Sequence, residues 1–253
     1  MDQIAQAPEK VVVDQSGKPA QKVEKPRKVL PLSGRWAFFK YSQFAFIAVT
    51  VASIGLVVAT LNFFDDVQRG AFASEAEIIA AGSAIDAVSI PLAVAYFVLF
   101  FVCVLAYAMF YHRCMNNLHA EGAEDATTSP GWVWGYFFIP FVNLVKPIDA
   151  IMQIWRGSAH LTGGNPKIPA TIGWWWASWL GGNFVGTIAG RMSDYSMDEN
   201  GIENFELFIL SIQFELVSSL LVLICSLLLL RFSFQIKQAQ QSIREGGVQD
   251  VFA

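Results

Sequence analysis

Hydrophobic positions in this chain are bunched into four long runs separated by polar stretches. The runs cover 44–64, 87–111, 168–190 and 207–230, and only Glu215 interrupts the last. Each reaches or exceeds the roughly 20 residues a helix needs to cross about 30 Å of hydrocarbon. The pattern predicts an all-α polytopic membrane protein with four transmembrane helices. An interfacial or re-entrant amphipathic segment is expected between spans 2 and 3.

The polar remainder sets the domain boundaries. Residues 1–40 read as a disordered cytoplasmic arm, because the first stretch is Lys-rich, carries Pro19 and Pro26, and has too little apolar surface to offset its ordering entropy. It has no apolar core of the kind a cleavable secretory signal carries. Residues 41–231 form the membrane domain, with the interfacial segment at 131–158, and 232–253 a cytoplasmic tail. No second folded domain fits the 253 residues.

Charge orients the spans. With the N-terminus inside, 15 of the 17 Lys and Arg residues fall on inner segments and only Arg69 and Arg191 on outer loops. The positive-inside rule asks for this asymmetry. A fifth crossing at 131–145 would change the division to 10 against 7, and that stretch is short and holds Pro140 and Asn143. Both termini are therefore expected in the cytoplasm. The net charge of −4 sums separated compartments and says little about partners. The outer loops are acidic but lack the alternating ligands of a calcium loop. In the first of them, Ser74 followed by Glu77 predicts a capping box opening a short helix over 75–81.

In lipid, helices associate where small residues let backbones approach. Span 1 sets Ala45, Ala48, Ala52, Gly55 and Ala59 on one face, and span 3 sets Ser178, Gly182, Gly186 and Gly190 four apart. These stripes predict tight contacts of spans 1 and 3, within one bundle as the simpler reading or between copies. Pro91 is expected in the first turn of span 2, where a missing N–H costs least. Trp174, Trp175, Trp176 and Trp179 crowd the inner end of span 3, as an interfacial aromatic belt would. After Pro147, the residues Ile148, Ile151, Met152 and Trp155 share a helix face opposite Asp149, Gln153 and Arg156, which suits a helix lying on the inner leaflet with Trp155 as an anchor.

Between spans 2 and 3 the order of motifs is individual. It runs Tyr111-x-Arg113-x3-Asn117-Leu118, Ser129-Pro130-Gly131-Trp132, Phe138-Ile139-Pro140-x2-Asn143-Leu144-x2-Pro147 and Trp155-Arg156-x-Ser158, then paired tryptophans. This succession, over roughly residues 96–230, resembles the bacterial membrane family called domain of unknown function 4328. The polar N-terminal arm stands outside the pattern, and His112 sits where no fixed type is expected. The resemblance implies fold and membrane location and brings no activity with it.

Glu215 is the one acid inside an apolar run. A carboxylate at mid-bilayer often marks an ion or proton path; one within a turn of the outer interface simply reaches water. Arg113, Asn117, Lys146 and Arg156 are candidate contacts for an anionic lipid headgroup at the inner surface. His112, His119 and His160 are too peripheral for a bundled haem, and Cys103, Cys114 and Cys225 have no metal-ligand spacing. No nucleophile elbow, zinc-protease, P-loop or dinucleotide motif occurs. No metal, cofactor or nucleic-acid partner is expected. The sequence points to a non-catalytic inner-membrane protein acting through contacts with lipid and with a membrane-protein partner or a second copy, as an accessory to a larger complex. The alternative is a small transporter or channel using Glu215.

Overall fold

A computed structural model describes residues 29–199 and 201–245. Within them the chain folds as six α-helices: α1 (Ser33–Gln68), α2 (Glu75–Ala120), α3 (Trp132–Gly135), α4 (Lys146–Thr162), α5 (Ala170–Ser196) and α6 (Phe205–Glu245). Short 3-10 turns at Tyr136–Phe138 and Val142–Leu144 link α3 to α4, and a two-residue antiparallel pair, β1 (Met197–Asp198) with β2 (Gly201–Ile202), turns the chain from α5 into α6. Three helices, α1, α2 and α6, are long and apolar enough to cross a membrane. Only 6% of the most apolar window of α2 is buried inside the protein, so that surface is built for lipid.

The long helices outrun the bilayer. At 1.5 Å per residue α1, α2 and α6 measure about 54, 69 and 62 Å against a hydrocarbon core of about 30 Å. The capping box is present: Glu77 N–H donates to Ser74 Oγ at 3.4 Å while Glu77 Oε2 accepts from Ala73 N–H at 2.8 Å. The helix it opens does not stop at residue 81 but continues through α2. Pro91 consequently lies inside α2 rather than in its first turn. Membrane helices tolerate such a position because neighbouring groups re-satisfy the freed carbonyl.

The excess length gathers at one end and forms the core. The start of α1 packs on the ends of α2 and α6, α4 packs on α2, α5 and α6, and Phe39, Phe110, Tyr111, Met115, Leu118, Ile151, Ile154, Phe232 and Ile236 are fully buried there. Phe39 stacks on Phe110 at 5.1 Å between ring centres, and Trp36 packs against both and against Phe234. Two expected boundaries move as a result. Of the arm placed at 1–40, residues 1–28 lie outside the described residues, whereas 33–40 are helix with Trp36 and Phe39 in the core. Of the tail placed at 232–253, residues 232–245 continue α6 and bury Phe232, Ser233, Ile236, Ala239 and Gln240; 246–253 lie outside the described residues. Charges at Arg35, Lys40, Arg231 and Lys237 end the apolar runs without ending the helices.

Helix α4 corrects another expectation. Its apolar face, Ile151, Ile154 and Trp155, is buried against the long helices instead of lying on a leaflet. Its C-terminus closes at Gly163, whose φ of 71° is the left-handed conformation glycine adopts without penalty.

The small-residue stripes part company. On α5, Gly182 and Gly186 meet α6: Ser218 Oγ donates to Gly182 O at 2.9 Å, and a Cβ on Gly186 would sit 2.9 Å from that hydroxyl oxygen. Gly190 has open space. On α1, Ala48, Ala52, Gly55 and Ala59 face outward, and nothing approaches Gly55 within 4 Å. The α1 stripe is thus not an intramolecular contact face; α1 uses Phe46, Thr50 and Val57 instead. Helix α5 shares the depth of α6. Trp175 packs on Phe232 at the core end, and Glu203 and Asn204 donate backbone bonds to Ser196 O at the other, near where Phe205 and Phe208 meet Phe64.

Candidate functional site

The motifs between spans 2 and 3 converge on a buried polar node that clamps four segments. Asn117 on α2 grips the backbone of Leu30: Leu30 N–H donates to Asn117 Oδ1, and Asn117 Nδ2 donates to Leu30 O, each at 3.0 Å. Asn117 Nδ2 also donates to Gln240 Oε1 on α6 at 3.2 Å. Gln240 Nε2 in turn donates to Cys114 O and to Ser158 Oγ on α4, both at 3.1 Å. About two turns deeper, Tyr111 on α2 and Ser233 on α6 share a hydroxyl hydrogen bond. Inside a low-dielectric core such bonds are strong and leaving one unmade is costly, so the node fixes the mutual register of α1, α2, α4 and α6.

Glycine completes the clamp. An ideal Cβ on Gly157 would lie 3.0 Å from Leu118 Cδ1 and 3.6 Å from the Ala123 methyl, so the bare backbone of α4 is what lets α2 approach. The neighbouring motif residue Trp155 donates its indole N–H to Lys167 O at 3.1 Å, tying α4 to the loop leading into α5.

Around the segment 125–153, polar side chains add to the backbone turns. His119 Nε2 lies 2.8 Å from Thr128 O, Thr128 N–H donates to Gln153 Oε1 at 2.9 Å, and Gln153 Nε2 donates to Asp149 Oδ2 at 3.1 Å. His160 pairs with Asp125. Phe137 then inserts between Tyr107 on α2 and Trp176 and Trp179 on α5. Trp176 donates its indole N–H to Leu144 O at 3.0 Å.

These placements revise the candidate residues. Of the five tryptophans expected as interface anchors, Trp174, 67% exposed, stands outward as an anchor would; Trp155, Trp175 and Trp176 are buried and Trp179 stacks on Trp176. Asn117 is 3% exposed and spent on the node, so it is not a headgroup contact. Lys146 sits 3.8 Å from Asp149 on its own helix. Arg113 lies beside Arg35 and His112, and Arg35 donates to Met109 O at 2.8 Å. Arg156 is half-buried, and its Nε has no partner among the described residues. Asn117 therefore drops out of the four proposed headgroup contacts. Glu215 faces outward from α6, while Ser211 and Ser218 on the same helix turn inward to Phe208 O and Gly182 O. No group of His, Cys, Asp and Glu among the described residues is arranged to hold a metal ion.

Gln240, Ser233 and Leu30 carry the node and were not foreseen. A signal existed beyond the last apolar run: Phe232, Ile236, Ala239 and Ile243 keep helical spacing past Arg231.

Apolar helices with lipid-facing surfaces, joined at one end by a packed core, define an all-α multi-pass membrane protein. Within that class, the chain belongs to the family described as Domain of unknown function (DUF4328), whose model matches residues 73–238. That match takes in all the motif residues named above and reaches beyond 96–230 at both ends. No curated protein and no solved structure matches the chain.

Proposed function

We propose that this protein is a non-catalytic accessory subunit of a bacterial inner-membrane assembly, crossing the membrane four times and acting through lateral contacts with a membrane-protein partner. The outward-facing Glu215 carries this reading. It lies ten residues into α6, about 15 Å along the helix, on the surface that meets lipid rather than in the bundle. An intramembrane carboxylate left against hydrocarbon is costly, and a polar or basic group on a partner helix relieves that cost. A conduit would instead place the acid facing the bundle, whose inner end is closed by Phe39, Phe110, Tyr111, Trp175 and Phe232. The outward stripe of Ala48, Ala52 and Gly55 offers a neighbouring helix close backbone approach.

The fourth crossing is α5. It carries no charged residue between Ala170 and Gly190, runs beside α6, and its 27 residues span about 40 Å. Both termini and the α4 core then lie in the cytoplasm. The exposed side chains of Phe138, Phe141, Leu144 and Val145 dip into the inner leaflet, with Phe141, at a φ of 64°, held at the tip.

Orientation is read by labelling with a membrane-impermeant maleimide in intact cells. The three native cysteines are buried, so the background is low. Glu199→Cys is expected to label from outside and Lys167→Cys only after permeabilisation. The reverse pattern overturns the orientation.

Glu215→Leu is expected to leave thermal unfolding unchanged while removing most of the membrane protein that co-purifies in mild detergent. Ion or proton flux in reconstituted vesicles that disappears in Glu215→Gln would replace this reading with the transporter.

A further inference from the structure

Helices α1 and α6 leave an open groove of about 630 Å³ between them. The contact of Trp36 with Phe234, 6.0 Å between ring centres, fixes the antiparallel register of its walls. Advancing four residues along α1 and returning three or four along α6 brings Lys40 level with Leu230 and Arg231. A further turn brings Phe44 level with Leu227. All of these side chains line the groove.

The lining is therefore layered along the membrane normal. Toward the bilayer centre the walls are apolar, from Phe44 and Leu227. At the end of the apolar run stand two cations, Lys40 and Arg231. Below them Gln235 and Gln238 offer amide donors and acceptors beside the rings of Trp36 and Phe234. No acidic side chain lines the groove. Arg231 is exposed, and the Lys40 ammonium lies 4.4 Å from the centre of the Tyr41 ring, a contact that leaves its N–H donors available.

We infer that this groove is a binding site for one anionic phospholipid of the inner leaflet, its acyl chain along Phe44 and Leu227 and its phosphate between Lys40 and Arg231. The layering matches the molecule: hydrocarbon, then a phosphodiester charge, then a hydroxylated headgroup that Gln235 and Gln238 can hydrogen-bond. Basic pockets between membrane helices on the cytoplasmic side take such headgroups. A zwitterionic lipid would bring its own cation toward two others with no acid to receive it. The site is distinct from Arg113, Lys146 and Arg156. Only its assignment to the inner leaflet rests on the orientation proposed above.

The test uses full-length protein in nanodiscs of equal phosphatidylcholine and phosphatidylglycerol, released into mild detergent, with retained lipid weighed by native mass spectrometry. Wild type is expected to retain one phosphatidylglycerol in preference to phosphatidylcholine. Lys40→Gln with Arg231→Gln is expected to lower that preference about thirtyfold, the scale of two basic residues at an anionic surface. Lys146→Gln is expected to leave it unchanged. Leu227→Trp, which fills the acyl slot and keeps both charges, is expected to lower total retention and serves if the double variant does not fold. Wild type without preference, or retention unaffected by Leu227→Trp or by the double substitution, overturns the proposal. Partner co-purification through Glu215 is read on separate samples, so failure of either result leaves the other standing.

Discussion

Gly157→Leu is expected to abolish accumulation of folded protein, the largest effect of any single substitution considered. Gly157 lies on the face of α4 that meets Leu118 and Ala123, all within the inner core. A Cβ there would already stand 3.0 Å from Leu118 Cδ1, and a leucine adds three further carbons with nowhere to go. Overpacking a well-filled core costs about 1–3 kcal/mol and more where backbones must separate. Separation here would also pull Ser158 away from Gln240 and break the node one residue along. Gly157→Ala asks only that the Leu118 side chain yield by a few tenths of an ångström, so it should fold with a lowered melting temperature. Leu118→Ala opens a cavity of its own, but combined with Gly157→Ala it should cost less than the sum of the two single losses, because the colliding atoms are gone. Membrane-extracted protein assayed by size-exclusion profile and thermal unfolding reads all four variants. A monodisperse, normally stable Gly157→Leu would show that α4 does not seat against α2.

The contrast between what sequence reading captured and what it missed follows from how membrane helices are stabilised. The centres of α1, α2 and α6 were legible because hydrocarbon forbids charge, and apolar runs record that directly. The Ser74–Glu77 cap was legible because it is local. Helix ends were not: Arg35, Lys40, Arg231 and Lys237 mark where the bilayer stops, while Trp36, Phe39, Phe232 and Ile236 carry the helices on into a second, aqueous-side core. The small-residue stripes told where backbones can approach but not what approaches, so Gly182 and Gly186 meet α6 while Ala48, Ala52 and Gly55 face outward from the described helices.

The tryptophans and α4 fail for one shared reason. An amphipathic helix and a cluster of indoles look alike whether their apolar side meets a leaflet or protein. Composition cannot separate the two, since both environments exclude water. The discriminating partners, Lys167 O for Trp155 and Leu144 O for Trp176, are backbone carbonyls that leave no mark on the sequence. The family resemblance fares differently. Its motif residues Tyr111, Asn117, Leu118, Trp155 and Ser158 prove to be the fasteners of the inner core, so the pattern records architecture in this chain.

The node gives the second large prediction. Gln240→Leu is expected to destabilise the protein by about 3 kcal/mol, because Cys114 O, Ser158 Oγ and Asn117 Nδ2 each lose a partner in a buried site and an unpaired buried group costs about 1–3 kcal/mol. Asn117→Leu should cost somewhat less. It strands Gln240 Oε1, but Leu30 is 37% exposed, so its freed N–H and C=O can regain water. The two substitutions should not add. Once Gln240 is gone, Asn117 has already lost one of its bonds, and replacing both amides with apolar side chains removes donor and acceptor together, which is far less costly than removing one. Thermal unfolding of wild type, both single variants and the double variant in one detergent measures the coupling. A double variant clearly less destabilised than the sum of the singles places the Asn117–Gln240 bond at the centre of the inner core. Strict additivity would mean that the Asn117–Gln240 bond adds no coupling, and that α2 and α6 are held in register by Gln240 on Cys114 O and by Tyr111 with Ser233.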